Sequence, residues 1–308
     1  MRSQSIWCKG APWSTKDQDI IFEKLKYVIE NPQAAFRQYC NLHPGYEIPG
    51  YNFKITAQKL LRLGFHDCLK YSDDSIEGGI NGCDGCLNPK GMDFTYKGKG
   101  SYYDEDIHAT TNNGLGNTAD ILEEIYTNIN YPWGTLDLDM SMKDKNMSRA
   151  DLWAFASLVA ISYGVHHNNK GCQNDGCGTL RKNETDCVIE WPRIPNFKTG
   201  RSDCNENHWN AFRPEVHPDP HGNGPMTVDF FKKHFELNAQ EAIALVLGAH
   251  SFANFHSDIS AFRYEWTRKQ RNFFNNQMVR HAALQPQYFN DCKSKSFQKT
   301  WGFFNLKF

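Results

Sequence analysis

No stretch of this 308-residue chain approaches the roughly 18 consecutive apolar residues that a membrane-spanning helix requires. An excess of charge is also missing: 34 Lys and Arg stand against 35 Asp and Glu, a net charge of −1 at pH 7. Nucleic acids and anionic membranes are drawn chiefly to basic surfaces, so neither is expected as a partner. There is no internal repeat and no low-complexity segment. Met1 to Asp19 lack the apolar core of a signal peptide. Long alternating apolar and polar runs are scarce as well, leaving little room for sheet.

Cysteine, by contrast, is plentiful. Ten cysteines, an even count, are spread through loop-like sequence and read as disulfides of an oxidising compartment. Two Asn-x-Ser/Thr sequons, at Asn146 and Asn183, point to the same compartment. The expectation is a secreted glycoprotein whose signal peptide lies outside this sequence. Zinc on Cys172, Cys177, Cys187 and Cys204 is the competing reading, but their spacing matches no usual zinc-ligand pairing.

Helical periodicity marks five segments. Asp17 to Ile29 carries one stripe of Ile20, Ile21, Leu25 and Val28, and Phe53 to Leu69 repeats it with Ile55, Leu60, Leu61 and Leu63. Asn117 to Asn130, Ser148 to Tyr163 and Asn238 to His250 follow, the last two opening on the capping residues Ser148 and Asn238. From Asn168 to Asn223 the chain is rich in Gly, Pro, Asn and Cys, so disulfide-stapled loops are expected there, with His166 and His167 in a solvated loop just before. The fold class is mainly α.

The sharpest chemistry lies in Arg62-Leu63-Gly64-Phe65-His66-Asp67-Cys68. Residues three and four apart share a helix face, so Arg62, Phe65 and His66 point to one side. Cleaving a peroxide needs this combination. A neutral imidazole takes the proton from one oxygen and returns it to the other. A fixed cation stabilises the charge that grows on the departing oxygen. An aromatic wall limits water. A lone Arg-x-x-x-His pair is more often structural, and the case rests on what accompanies it.

The segment resembles the distal helix of the non-animal haem peroxidase superfamily, Arg-x-x-(Phe/Trp)-His, with Arg62, Phe65 and His66 on the motif. Phe65 sides with the secreted branches of that superfamily. The run Asp106 to Leu115 is similar to the family's segment bearing a distal Asn, which makes Asn112 the acceptor for the far ring nitrogen of His66. Downstream, Ala244-Leu245-Val246-Leu247-Gly248-Ala249-His250-Ser251 resembles the iron-ligand motif. The resemblance makes His250 the neutral axial ligand of haem b, with Ser251 beside it and small Gly248 and Ala249 letting a flat macrocycle approach. Sixteen residues beyond His250 stands Trp266, where the intracellular branch stacks a Trp that can hold a radical. Asp291 is the candidate acceptor for the ligand's N–H. Asp151 and Arg201, in Ser-x-Ala-Asp and Gly-Arg-x-Asp matches, are the family's buried ion pair.

The resemblance implies one haem peroxidase domain over 1–308, two-lobed, with haem between distal and proximal helices. The distal lobe is expected over about 15–165 and the proximal over about 166–308. One calcium ion is expected on Asp67, the Gly82 carbonyl and Asp84, although Cys86 stands where relatives have a hydroxyl ligand. Lys269 and Phe274 replace the ligands of a proximal cation, which is not expected, and Ile259 replaces the Arg by which ascorbate peroxidases bind their donor. The implied reaction is reduction of hydrogen peroxide with one-electron oxidation of small, electron-rich phenolic or aromatic donors. The rivals are a non-catalytic haem-binding protein on a peroxidase scaffold, and a disulfide-stabilised binding module without cofactor.

Overall fold

Ser14 starts the first helix: its hydroxyl accepts the Asp17 N–H while the Asp17 carboxylate accepts the Ser14 N–H. That helix, α1 (Thr15–Glu30), buries Ile21, Leu25 and Val28 completely. Each such side chain contributes about 1.5–3 kcal/mol on leaving water. After Asn31 the chain restarts on Pro32 as α2 (Pro32–Leu42), whose Ala35, Phe36 and Tyr39 are buried and which packs against α1. Proline suits a first helical position because it lacks the N–H that would go unpaired there.

The computed structural model describes residues 10–44, 56–69, 83–85, 87, 112, 114–175, 188–190, 197–203, 218–219, 222–252 and 274, with the backbone alone over 172–175. Seven helices and no strand occur among the described residues, a mainly helical architecture as expected.

Helix α3 (Ala57–Cys68) is capped by Thr56, whose hydroxyl accepts the Lys59 N–H. It buries Leu60 and Leu63 fully and packs against α4 (Gly116–Thr127). Gly64 sets how closely α3 approaches α5 (Arg149–Asp175): a Cβ there would overlap Ser157 Oγ and stand 3.1 Å from the Trp153 carbonyl. Cys68, the last residue of α3, is joined by a disulfide to Cys83. Gly85, at φ +70°, then lies so close to the start of α5 that a Cβ would be 2.7 Å from the Ala150 nitrogen.

Two carboxylates lock the start of α5. Asp203 accepts the Arg149 and Ala150 N–H groups at 2.9 and 2.8 Å. Asp151, fully buried, accepts from the Gly200 N–H at 2.7 Å and from the Arg201 guanidinium at 2.8 Å. The Ser148 hydroxyl caps the same end by accepting the Asp151 N–H. Burial pushes the Asp203 carboxyl above its ordinary range, against the pull of those two amide bonds.

The chain divides into two compact units, Met1–Ala160 with Arg193–Val216, and Ile161–Pro192 with His217–Phe308. In the second, α6 (Gly224–Phe235) and α7 (Ala239–Ser251) pack against each other. Asn223 caps α6, and Asn238 with Glu241 forms a reciprocal cap on α7. Phe252 closes over the later part of α5 at Gly164, where a Cβ would meet the Phe252 ring at 2.8 Å.

Several expectations need correcting. Helix α5 does not stop at Tyr163 but continues to Asp175, so His166 and His167 are helical, with the His167 ring 4.3 Å from that of Tyr163. The reason is tertiary: the Asn169 carboxamide pairs with both the N–H and the carbonyl of Ile189, each at 2.9 Å, and holds a polar turn in register. Cys40 is a free, half-buried thiol, which departs from a reading of the cysteines as disulfides. Cys177, Cys187 and Cys204 lie outside the described residues, as do Gly82, Cys86, Asn183, Ile259, Trp266, Lys269 and Asp291.

Candidate active site

Helix α3 carries one cluster of candidate residues. Arg62 and Phe65 are half-buried, His66 is 9% exposed, and the rings of Phe65 and His66 stand 6.1 Å apart. Thr56 fixes where the helix begins and Gly64 fixes how deeply it sits, so the direction of the Arg62–His66 face follows from those two contacts. Asn112 reaches the site from the turn before α4. Its carbonyl accepts the Leu115 N–H at 3.1 Å, and Gly114 takes φ +80° to close that turn. Leu115, fully buried, pins the turn to the core.

The consequence is a defined tautomer. His66 Nδ1 lies 2.8 Å from Asn112 Oδ1, and both residues are buried. A carboxamide oxygen can only accept, so Nδ1 carries the proton and Nε2 keeps its lone pair. An imidazole in that state can take a proton from a bound molecule. Arg62, one turn earlier, supplies a permanent positive charge on the same face.

The sequence reading missed Lys59. It stands three residues before Arg62 and seven before His66, at the spacing of that same face. Burial of its ammonium, with Arg62 adjacent, lowers its pKa to about 8. The spacing alone could have found it, since three- and four-residue spacing already linked Arg62, Phe65 and His66.

His250, near the end of α7, sits in the second unit. Its Nδ1 donates to the Val246 carbonyl at 2.6 Å, which again puts the lone pair on Nε2. Burial, against the pull of the Val246 bond, lowers its pKa below the ordinary histidine value, which favours the neutral ring. Ser251, buried, turns its hydroxyl back to the Leu247 carbonyl at 2.8 Å and is spent on the helix itself. The acceptor for His250 in the described structure is thus a backbone carbonyl one turn earlier, while Asp291 lies outside the described residues.

These residues fit a haem. A metalloporphyrin needs one neutral imidazole whose ligating nitrogen carries a lone pair, on an apolar, sterically open helix face. Helix α7 offers His250 with Ile243, Val246, Gly248 and Ala249 only half-buried and Leu245 38% exposed. A Cβ on Gly248 would meet only the Phe274 ring, at an ordinary 3.6 Å. An apolar disc would cover surface that the chain itself leaves open to water.

A second cluster follows α3. Asp67, fully buried, accepts the Gly85 N–H at 3.0 Å through its carboxylate, and its carbonyl accepts the Cys83 N–H at 3.1 Å. Asp84 beside it is 5% exposed. No group of three or more metal-ligating side chains occurs among the described residues.

The first unit thus holds an imidazole of fixed tautomer on a helix face shared with a guanidinium, and the second holds an imidazole on an apolar helix. The chain belongs to the peroxidase family, whose model, described as Peroxidase, matches residues 51–305. It is accordingly a haem-dependent oxidoreductase that uses hydrogen peroxide as its oxidant. Comparison with curated proteins gives no match. No helix among the described residues is long and apolar enough to cross a membrane.

Proposed function

We propose that His250 is the iron ligand and that His66, Arg62, Phe65 and Asn112 form the peroxide-cleaving machinery, with small electron-rich aromatic molecules as one-electron donors. Bound haem supplies the redox chemistry: an iron that accepts electrons from the donor and passes them to peroxide. The rest belongs to the chain. His66 Nε2 takes the proton from the nearer peroxide oxygen and delivers it to the farther one, which leaves as water. Arg62 stabilises the negative charge on that departing oxygen. Asn112 keeps the proton on Nδ1, so that Nε2 is basic each time a new peroxide arrives. Phe65 walls the site and limits water beside the imidazole. Trp266 is assigned as a second place where an oxidising equivalent can rest, and Asp291 as a further partner of the iron ligand.

The observation that carries this reading is the 2.8 Å bond from His66 to buried Asn112, because a haem store has no use for a base of fixed tautomer. The test is stopped-flow absorption of the haem-loaded chain mixed with peroxide, wild type against His66→Ala. A peroxide-driven shift of the haem band, slowed roughly a hundredfold or more in the variant, is the expected result. Equal rates, or haem binding with no shift in either protein, would leave the non-catalytic haem-binding reading in its place.

Two finer assignments accompany it. Asp67 and Asp84 hold one calcium ion: two buried carboxylates beside one disulfide are hard oxygen donors of the kind that ion prefers. The chain works outside the cell and carries a glycan on Asn146. Support comes from the Cys68–Cys83 disulfide and from Asn146 itself, an exposed turn residue at φ +55° within a sequon.

A further inference from the structure

Between α4 and α5 the chain crosses from Asn128 to Met140 without regular structure, and the crossing exposes three large apolar side chains. Trp133 is 45% exposed, Leu136 66% and Met140 50%. Scattered exposed apolar residues are ordinary on any surface. Three within eight residues, on a segment braced at nearly every step, are not.

The bracing begins at Lys24, whose side chain is fully buried in the middle of α1. Its ammonium donates to the carbonyls of Ile129 at 2.9 Å and Tyr131 at 2.7 Å, and to the Thr135 hydroxyl at 3.4 Å. The Tyr131 ring is buried and its hydroxyl donates to the Ala35 carbonyl at 3.1 Å. Gln38 of α2 grips the backbone of Trp133 from both sides: its oxygen accepts the N–H at 2.8 Å and its amide donates to the carbonyl at 3.3 Å. Leu138 is 2% exposed and anchors the far half, and Asp139 pairs with Lys16 at 3.3 Å. Lys16 and Lys24 are eight residues apart on α1, about 12 Å along its axis. The segment from Thr135 to Asp139 therefore runs back along α1 towards its first turn. Leu136 and Met140, three and seven residues past Trp133, extend along the chain the exposed apolar edge that Trp133 begins.

A braced apolar edge gains nothing from burial in the free chain. It does spare a partner the cost of freezing it, which is how preorganised binding surfaces raise affinity. Charge then selects the partner. Asp137 and Asp139 are exposed among the apolar side chains. Lys16 answers Asp139, but among the described residues no surface cation pairs with Asp137, which has only Lys24 beneath it. An anionic lipid surface would be repelled by these carboxylates. Two copies meeting face to face would bring like charges together.

We propose that this edge, Trp133, Leu136 and Met140 with Asp137, docks a cationic amphipathic segment of another protein. The apolar side chains of that segment cover the edge, and its ammonium or guanidinium groups pair with Asp137. The surface is independent of the peroxide chemistry and stands or falls separately from it.

The test is calorimetric titration of the haem-loaded full chain with a synthetic amphipathic helix of leucine and lysine, against a leucine–glutamate counterpart. The lysine peptide binds, its affinity falls with added salt, and Trp133→Ser weakens it about tenfold or more, as expected for an aromatic anchor. Asp137→Asn weakens it too, and the glutamate peptide does not bind. Trp133→Ser leaves the fold intact because both Gln38 bonds run to the backbone of that residue; Leu136→Ser, at the most exposed of the three positions, is the second variant. Equal affinity in wild type and both serine variants overturns the proposal, as does equal binding of the two peptides. Trp133-dependent sedimentation with phosphatidylcholine vesicles would replace it with a lipid surface. A dimer abolished by Leu136→Ser would replace it with self-association.

Discussion

Asn112→Asp places the heaviest demand on the assigned distal chemistry. The native contact is a 2.8 Å bond between a fully buried carboxamide and an imidazole that is 9% exposed. A carboxylate in the same position sets a full negative charge about 4 Å from the centre of the ring. At an effective dielectric of about 20, that attraction is roughly 4 kcal/mol in favour of imidazolium. Burying the new carboxylate takes part of this back, and a net rise of the His66 pKa is expected. The sign follows directly. His66 must be neutral to accept the peroxide proton, so a raised pKa holds it in the wrong state at neutral pH. The fast peroxide-driven absorption change is lost there and returns as pH rises, and the acid limb of the rate profile moves upward. Asn112→Ala behaves differently. It removes the acceptor, costs about 1–3 kcal/mol of support for the Nδ1–H tautomer, and slows the reaction about tenfold or more without moving the limb upward. Stopped-flow absorption of the haem-loaded variants across pH separates the two. An Asn112→Asp limb that stays in place or moves down, or an Asn112→Ala rate equal to wild type, refutes the assignment of Asn112 as the group that sets the His66 tautomer.

Three further perturbations test the scaffold and the second metal. Gly64→Ala drives a methyl group into Ser157 and towards the Trp153 carbonyl, and overpacking of this kind costs about 1–3 kcal/mol. A lowered melting temperature with weakened haem retention is expected, and a melt equal to wild type would contradict the close α3–α5 contact. Lys24→Met strands the carbonyls of Ile129 and Tyr131 and is expected to destabilise the fold by roughly 2–4 kcal/mol in denaturant titrations. Burial has pulled the Lys24 pKa from 10.5 down to about 8, so between those values the unfolded chain holds the proton and the native chain does not. Wild-type stability therefore rises with pH across that window, and the gap to Lys24→Met widens by up to about 1.4 kcal/mol per unit; a gap that narrows would argue against it. Stripping with a calcium chelator lowers the melting temperature if Asp67 and Asp84 hold the ion, and Asp84→Asn removes that sensitivity. Identical melts before and after chelation would rule the ion out.

What the sequence made legible follows from the range over which each signal acts. The Arg62–His66 face was readable because three- and four-residue spacing is a property of one helix. The same holds for Asn238 as the cap of α7 and Ser148 as the cap of α5, both of which the structure places at the first turn. Helix α2 was also readable in principle, since Pro32 opens it and Ala35, Phe36 and Tyr39 keep helical spacing, yet the segment is short and its apolar signal thin. Asn112 is another matter. It lies 46 residues from His66, and nothing local in a turn-forming Asn-Asn-Gly says which imidazole it will face. Only resemblance to a family singled it out.

Lys24 shows the opposite failure, in which a local rule points the wrong way. A lysine in an amphipathic helix is ordinarily assigned to water. The position nevertheless carried the information: Lys24 falls three and four residues from Ile21, Ile20 and Val28, inside the buried stripe of α1. A charged side chain at a stripe position must either bend out to water or find oxygen acceptors inside, because an unpaired buried ammonium is too costly to keep. Here the acceptors come from the chain more than a hundred residues on, at Ile129, Tyr131 and Thr135, and they fix the loop that presents Trp133. The lengthened α5 has the same logic, since its polar end holds its helix through a bond to Ile189 rather than through an apolar stripe. In each case a polar residue in an apolar place, or a helix without a stripe, was the mark of a distant partner. Sequence reading gains most by treating such misfits as requests for acceptors and asking which later segment could supply them.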